Sequence, residues 1–187
     1  MRFAIVGTHN SGKTTLCHEV TSRLMRRGVP VSYAPEPSRT SRFLAAGTRD
    51  LKTQLDIFVR TVSTELEAAR GRKIVVCDRS LVDVLAYTDF MEERPSLEEK
   101  LTREAMHAFA DKYLLTYRLF FKVCWSFDMD DSSDPLRIDG SAFQADIDTR
   151  IEHHLARLSL PTRRLTDSVQ AAEQVERQII ECITSES

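Results

Sequence analysis

The sequence has no surplus of charge of either sign. Its 26 lysines and arginines face 28 aspartates and glutamates, a formal net charge of -2. The bulk basic field that draws nucleic acid is therefore missing. No apolar run approaches the ~18 residues of a membrane span. The opening MRFAIVG enters a short strand at once and has no secretory cleavage pattern. Four cysteines, Cys17, Cys77, Cys124 and Cys182, are scattered without a CxxC pair. They read as reduced thiols of a cytoplasmic protein. Internal repeats and domain-splitting linkers are also missing, so residues 1–187 are expected to form one domain.

What remains is an alternation of strands and helices. Phe3 to Val6 is an apolar run without polar alternation, as in a strand buried on both faces. A helix is predicted from Lys13 to Arg27, stopping at Gly28. Val29 to Ala34 reads as a second strand, broken by Pro35 and Pro37. A short helix is expected over Ser38 to Ala46. Asp50 caps a longer one with the stripe Leu51, Leu55, Phe58, Val62, Leu66 and Ala69. Ile74 to Cys77 is a strongly apolar strand ending at Asp78, and Val82 to Met91 reads as helix. Ser96 with Glu99 forms a capping-box pattern ahead of the stripe Leu97, Leu101, Ala105, Phe109 and Tyr113.

Leu119 to Phe127 has strand composition. Lys122 is out of keeping with full burial there and predicts an edge position or snorkelling. Asp128 to Gly140 is an acidic loop. Ser141 to Leu158 is helical, Pro161 to Leu165 a last strand, and Ser168 to Ile183 a closing helix capped by Asp167. The expectation is an α/β fold: three layers, with a central parallel sheet of about five strands and helices on both faces.

Directly behind the first strand stands GTHNSGKTT, Gly7 to Thr15. Gly7-x4-Gly12-Lys13-Thr14 matches the Walker A pattern. The glycines permit torsions that a side chain would obstruct. Loop amides, including those of Asn10, Ser11 and Thr15, can then turn toward an anion at the start of the next helix. Lys13 supplies a point charge for the β- and γ-phosphates, and the Thr14 hydroxyl is a ligand for Mg²⁺. ATP with Mg²⁺ is the expected cofactor pair.

A GTPase needs a guanine-reading Asn-Lys-x-Asp segment, which the chain lacks. A water-activating ATPase usually carries an Asp-Glu pair at the end of the acidic strand. Here that strand ends Cys77-Asp78-Arg79-Ser80, with an arginine in place of the glutamate. Asp78 can hold Mg²⁺ through its waters, and Arg79 can neutralise charge around a transferring phosphoryl. Glu36, in Tyr33-Ala34-Pro35-Glu36-Pro37, follows the second strand at the sheet edge where such folds bind ligands. A carboxylate there can orient or deprotonate an attacking hydroxyl.

In these segments the chain resembles the P-loop nucleoside and nucleotide kinases. It is most similar to the ribosylnicotinamide-kinase-like family of small AAA-type P-loop proteins, and more distantly to deoxynucleoside kinases and thymidylate kinase. GTHNSGKTT, Glu36-Pro37 with Arg39, Gln54, DRSLVDVLAY from Asp78 to Tyr87, and Arg137 ahead of DGSAFQADIDTRI carry the likeness. It runs in order from about Met1 to Leu158. The resemblance implies an ATP-dependent small-molecule kinase acting on a nucleoside, nucleotide or related metabolite. It implies that Glu36 lies near the acceptor hydroxyl and that Gln54 contacts a base or ring. It also implies that Arg137 closes over the phosphates from a small lid at about 128–141. Deoxynucleoside kinases carry Glu-Arg-Ser where this chain has Asp-Arg-Ser, which leaves the acceptor open. Related kinases are often dimers, so a homodimer belongs to the same expectation. A nucleotide-binding regulatory or defence ATPase, using the fold as a switch, is the alternative.

Several residues carry competing readings. Arg39 and Arg42, about one turn apart, suit either an acceptor phosphate or a solvated face. Asp83 is a substrate-side candidate that equally suits capping of its helix. Arg163 and Arg164 are candidates for the donor nucleotide. The loop Asp128 to Asp134 lacks the glycine and glutamate of a calcium loop. Adjacent His153 and His154 do not share a helix face, so that pair is no chelate. His9 reads as a variable loop residue, and Trp125 with its Phe neighbours as core.

Overall fold

The computed structural model describes residues 1–71, 73–91, 95–127 and 141–185. The strands are β1 (Arg2–Val6), β2 (Val31–Ala34), β3 (Ile74–Asp78), β4 (Tyr117–Val123) and β5 (Thr162–Leu165). They form one sheet in the order β2-β3-β1-β4-β5, with every neighbouring pair parallel. The helices are α1 (Lys13–Arg26), α2 (Arg42–Ala45), α3 (Leu51–Ala68), α4 (Leu81–Phe90), α5 (Leu97–Tyr113), α6 (Ser141–Arg157) and α7 (Ala171–Thr184).

The period of two along β1 sorts its side chains between two cores. Phe3 and Ile5 pack with Val76 and Phe121 against α1 and α7, through Val20, Leu24, Val175 and Ile179. Ala4 and Val6 pack with Cys77 and Phe120 against α4 and α6, through Leu81, Leu85, Ile147 and Ile151. Each large side chain removed from water on either face contributes roughly 1.5–3 kcal/mol. The three-layer α/β fold expected from the alternation is the one observed. Among the described residues no helix is long and apolar enough to cross a membrane.

Four local expectations need correction. Lys122 is neither at an edge nor snorkelling. β4 lies between β1 and β5, and Lys122 is 0% exposed. Its ammonium donates to Val123 O at 2.8 Å and Asp148 Oδ1 at 2.6 Å, so an ion pair with α6 replaces water. The helix expected over Ser38 to Ala46 is two pieces, a 3₁₀ turn (Pro37–Thr40) and α2, because Ser41 is extended and caps α2. The α5 stripe faces outward: Leu97, Leu101 and Phe109 are exposed, while Met106 and Ala110 are buried. α7 starts at Ala171, since Asp167 binds the amides of Val169 and Gln170 in a turn that precedes the helix. The expected lid and Arg137 lie outside the described residues.

Candidate active site

Sheet register builds the site. β1 pairs with β3 so that Ile5 stands beside Asp78. The loop leaving β1 therefore passes directly over the end of β3. Thr14 Oγ1 donates to Asp78 Oδ2 at 2.6 Å, and Tyr33 Oη donates to the same oxygen at 3.1 Å. β2 pairs with β3 so that Ala34 stands beside Cys77. Two residues further along each chain, Glu36 meets Arg79. Arg79 Nε lies 2.6 Å from Glu36 Oε1, and Arg79 Nη1 reaches Gly7 O at 3.3 Å.

The loop conformation needs its glycines. Gly12 has φ 71°, and a Cβ there would stand 3.1 Å from the Phe127 ring. Arg79 also holds a left-handed backbone, φ 76°. For a long side chain this costs on the order of 1–3 kcal/mol and persists where the surroundings over-determine it. Its amide donates to Ile5 O at 3.0 Å, and its guanidinium is gripped by Glu36.

Asp83 stabilises this loop. Its carboxylate accepts from the Gly7 amide at 3.1 Å and the Ser80 amide at 2.9 Å, and it closes a capping box at the start of α4. Arg79 Nη1 stands 3.7 Å from it. Ser80 and Asp83, three apart, are the sequence signal for this role. Lys13 is buried, donating to Ser11 Oγ at 2.9 Å and to Thr8 O. Burial and the nearby Arg79 charge bring its pKa down to about 7. Burial alone would raise Glu36, but Arg79, the Ser38 hydrogen bond and the charges of Lys13 and Arg39 together outweigh it and hold the carboxyl at about 2.

These groups open into one cleft of about 570 Å³. Asn10, Ser11, Gly12, Lys13, Thr14 and Thr15 of the loop line it, together with Glu36, Arg39, Arg79 and Asp83. Beyond them lie Leu44, Gln54, Ile57, Val84, Tyr87 and Phe143. Gln54 is 6% exposed, and its side-chain amide makes no hydrogen bond among the described residues. Trp125 and Phe127 line the cleft too, and Phe127 donates its amide to Asn10 O at 2.8 Å. His9 also faces the cleft, 3.2 Å from Tyr87 Oη. Core and cleft aromatics have the same composition, so the pattern of residues could not separate them. Arg42 does not line the cleft. Arg163 and Arg164 point elsewhere, toward Gln178 and Glu152.

The residues fit a hard divalent cation. Asp78 Oδ1 is buried and has no partner among the described residues, and the Thr14 hydroxyl is bound to the other carboxylate oxygen. Oxygen ligands of this kind, with waters, are what Mg²⁺ takes.

A family model described as an AAA domain matches residues 2–172. No curated protein matches the chain in sequence. Among solved structures, a deoxyadenosine kinase from M. mycoides, with products dCMP and a flexible dCDP bound, is similar at a TM-score of 0.69 and 18% identity. That likeness covers 97% of this chain and 100% of the other. A NadR protein in complex with NR is similar at a TM-score of 0.66 and 14% identity, over 89% of this chain but 46% of the other. At such identities the likeness establishes the fold. The resemblance read from GTHNSGKTT and DRSLVDVLAY is borne out at the level of family and fold.

Proposed function

The chain belongs to the AAA domain family, and from that membership and the cleft we propose an ATP-dependent kinase. It would transfer the γ-phosphoryl group of ATP to a nucleoside or a related nucleoside-like metabolite. One observation carries the reading: the phosphate-type loop and the Glu36–Arg79 pair open into a single cleft. The likeness in fold to a deoxyadenosine kinase lends it support.

In this reading the loop amides and Lys13 hold the β- and γ-phosphates. Thr14 and Asp78 hold Mg²⁺, which when bound offsets phosphate charge. Glu36 accepts a hydrogen bond from the acceptor hydroxyl and aims it. Its depressed pKa makes it a weak base, so alignment rather than early deprotonation is its part. That suffices for phosphoryl transfer, whose loose transition state asks little of a base. Arg79, with Glu36 against one edge, presents positive charge to the transferring group. Gln54, among Leu44, Ile57 and Val84, offers a donor and an acceptor to a planar ring. Arg39 at the rim is a candidate for a phosphate on the acceptor. The chain is proposed to act as a single domain, with Arg137 and the segment around it completing the charge balance.

Product analysis tests this. The protein is incubated with ATP, Mg²⁺ and a panel of nucleosides and monophosphates, and the products are separated and weighed by mass spectrometry. A phosphorylated acceptor with matching ADP is expected. ADP release that depends on no added acceptor would instead favour the regulatory switch.

A further inference from the structure

Asp89, His107 and His154 come from three different helices, α4, α5 and α6, and converge at one point. His107 Nε2 lies 2.9 Å from Asp89 Oδ1, and His154 Nε2 lies 2.9 Å from Asp89 Oδ2. Their ligand atoms all lie within 4.8 Å of one another. His154 is buried, and Asp89 and His107 are half-buried. The imidazole rings are tilted, with centroids 5.6 Å apart, so both Nε2 atoms reach the carboxylate without stacking. His154 Nδ1 is buried with no partner among the described residues. The polar commitment of that ring is therefore at Nε2, on the side where the three groups meet.

We propose that Asp89, His107 and His154 form a binding site for a borderline divalent transition cation, with Zn²⁺ as the leading candidate. Two imidazoles and a carboxylate are the donor set such ions prefer, with a fourth position left for water. Mg²⁺ prefers oxygen ligands and is a poor match. Bonds of about 2.0–2.1 Å in a tetrahedron put ligand atoms roughly 3.4 Å apart. The observed spacings, 2.9 Å for the two hydrogen-bonded pairs and at most 4.8 Å overall, bracket that value. Binding replaces the two Nε2···carboxylate hydrogen bonds: each ring gives its Nε2 proton to solvent, a neutral ring taking one back on Nδ1, and Nε2 turns the freed lone pair to the metal.

The site is structural. α4 also carries Tyr87 and α6 carries Phe143, whose rings stand 6.0 Å apart in the cleft wall. A cation at the far end of α4 fixes that wall by tying α4, α5 and α6 together. This inference does not depend on the kinase reading, and neither fails with the other.

The test uses the full chain stripped of metal, titrated with Zn²⁺ in saturating Mg²⁺ by calorimetry and followed by thermal unfolding. One equivalent of Zn²⁺ and a raised Tm are expected. Co²⁺ in place of Zn²⁺ should give the visible bands of a low-coordinate N/O site. His107→Ala and Asp89→Asn should weaken binding by at least roughly tenfold, with circular dichroism showing each folded. His153→Ala, on the exposed neighbour, should leave binding unchanged. Absence of saturable binding, equal affinity in His107→Ala, or equal loss in His153→Ala would overturn the site. Should His107→Ala fail to fold, a featureless Co²⁺ spectrum of the unaltered protein overturns it instead.

Discussion

Glu36 and Arg79 follow adjacent parallel strands and meet two residues beyond the last paired residues, Ala34 and Cys77, with Nε 2.6 Å from Oε1. The left-handed backbone of Arg79 turns its side chain back across the cleft. The pair is half-buried, and it links the end of β2 to the loop carbonyl of Gly7. Its energetic meaning follows from that position. A buried arginine without its carboxylate is an uncompensated charge, so neither residue can be altered without consequence for the other.

Glu36→Gln keeps the shape and removes the charge. In the kinase reading, acceptor-dependent turnover should fall by about 10²-fold through lost alignment, while ATP binding, followed by fluorescence of a nucleotide analogue, stays within a few-fold. Because Arg79, Ser38, Lys13 and Arg39 together hold Glu36 at about 2, no acid limb between pH 5 and 8 in the unaltered protein belongs to this carboxyl. A kcat/KM limb in that range that vanishes in Glu36→Gln would contradict the assignment.

Asp78→Asn removes the charge beside Thr14 while leaving an oxygen for its hydrogen bond. The Mg²⁺ concentration for half-maximal activity should rise at least tenfold, and Thr14→Ala should act in the same direction. Their effects should be less than additive, since in the kinase reading both residues serve one ion. A Mg²⁺ titration of both single variants and the double variant checks this.

Which features were legible in the sequence follows from how local each signal is. Gly7, Gly12, Lys13 and Thr14 stand at fixed spacing behind an apolar run, so the loop was readable. Asp78 closes a strand whose burial is written in Ile74 to Cys77. Glu36 was legible as a strand-end acid, but its grip on Arg79 follows from β2–β3 register. Strand order is not local, which is why Lys122 could be mistaken for an edge residue although β4 is an inner strand. Glu65, buried on α3, likewise departs from the apolar stripe, because its partners Tyr113 and Tyr117 lie on other elements. His107 and His154 lie 18 and 65 residues from Asp89, beyond any spacing rule.

Lys122 offers a test of that inner strand. Removing its partner with Asp148→Ala leaves an ammonium at 0% exposure with only the Val123 carbonyl among the described residues. Breaking a fully buried pair costs about 3–5 kcal/mol. Asp148 is 42% exposed, so water shares its charge and a loss of roughly 2–3 kcal/mol is expected. Adding Lys122→Met should recover most of it. Urea unfolding of the three variants measures both steps, and an Asp148→Ala loss under about 0.5 kcal/mol, the size of an ordinary surface change, would argue against the pair.

Glu65 predicts an unusual pH dependence of stability. It is buried on α3, accepting hydrogen bonds from Tyr113 Oη at 2.9 Å and from Tyr117 Oη. Burial raises its pKa from 4.5 to about 7, and the tyrosine hydrogen bonds only partly oppose that. Between those values the folded protein keeps a proton that the unfolded chain releases. Stability therefore falls as pH rises from 4.5 to 7, by up to about 3 kcal/mol, and the penalty is complete above 7 and absent below 4.5. Glu65→Gln has no proton to lose, so its Tm relative to the unaltered protein should climb across that window. Circular-dichroism melts at pH 5 and pH 8 decide it. A Tm difference between the two proteins that is the same at both values would mean that Glu65 is ionised in the fold, with the two tyrosine hydroxyls and Arg2 sufficient to hold its charge.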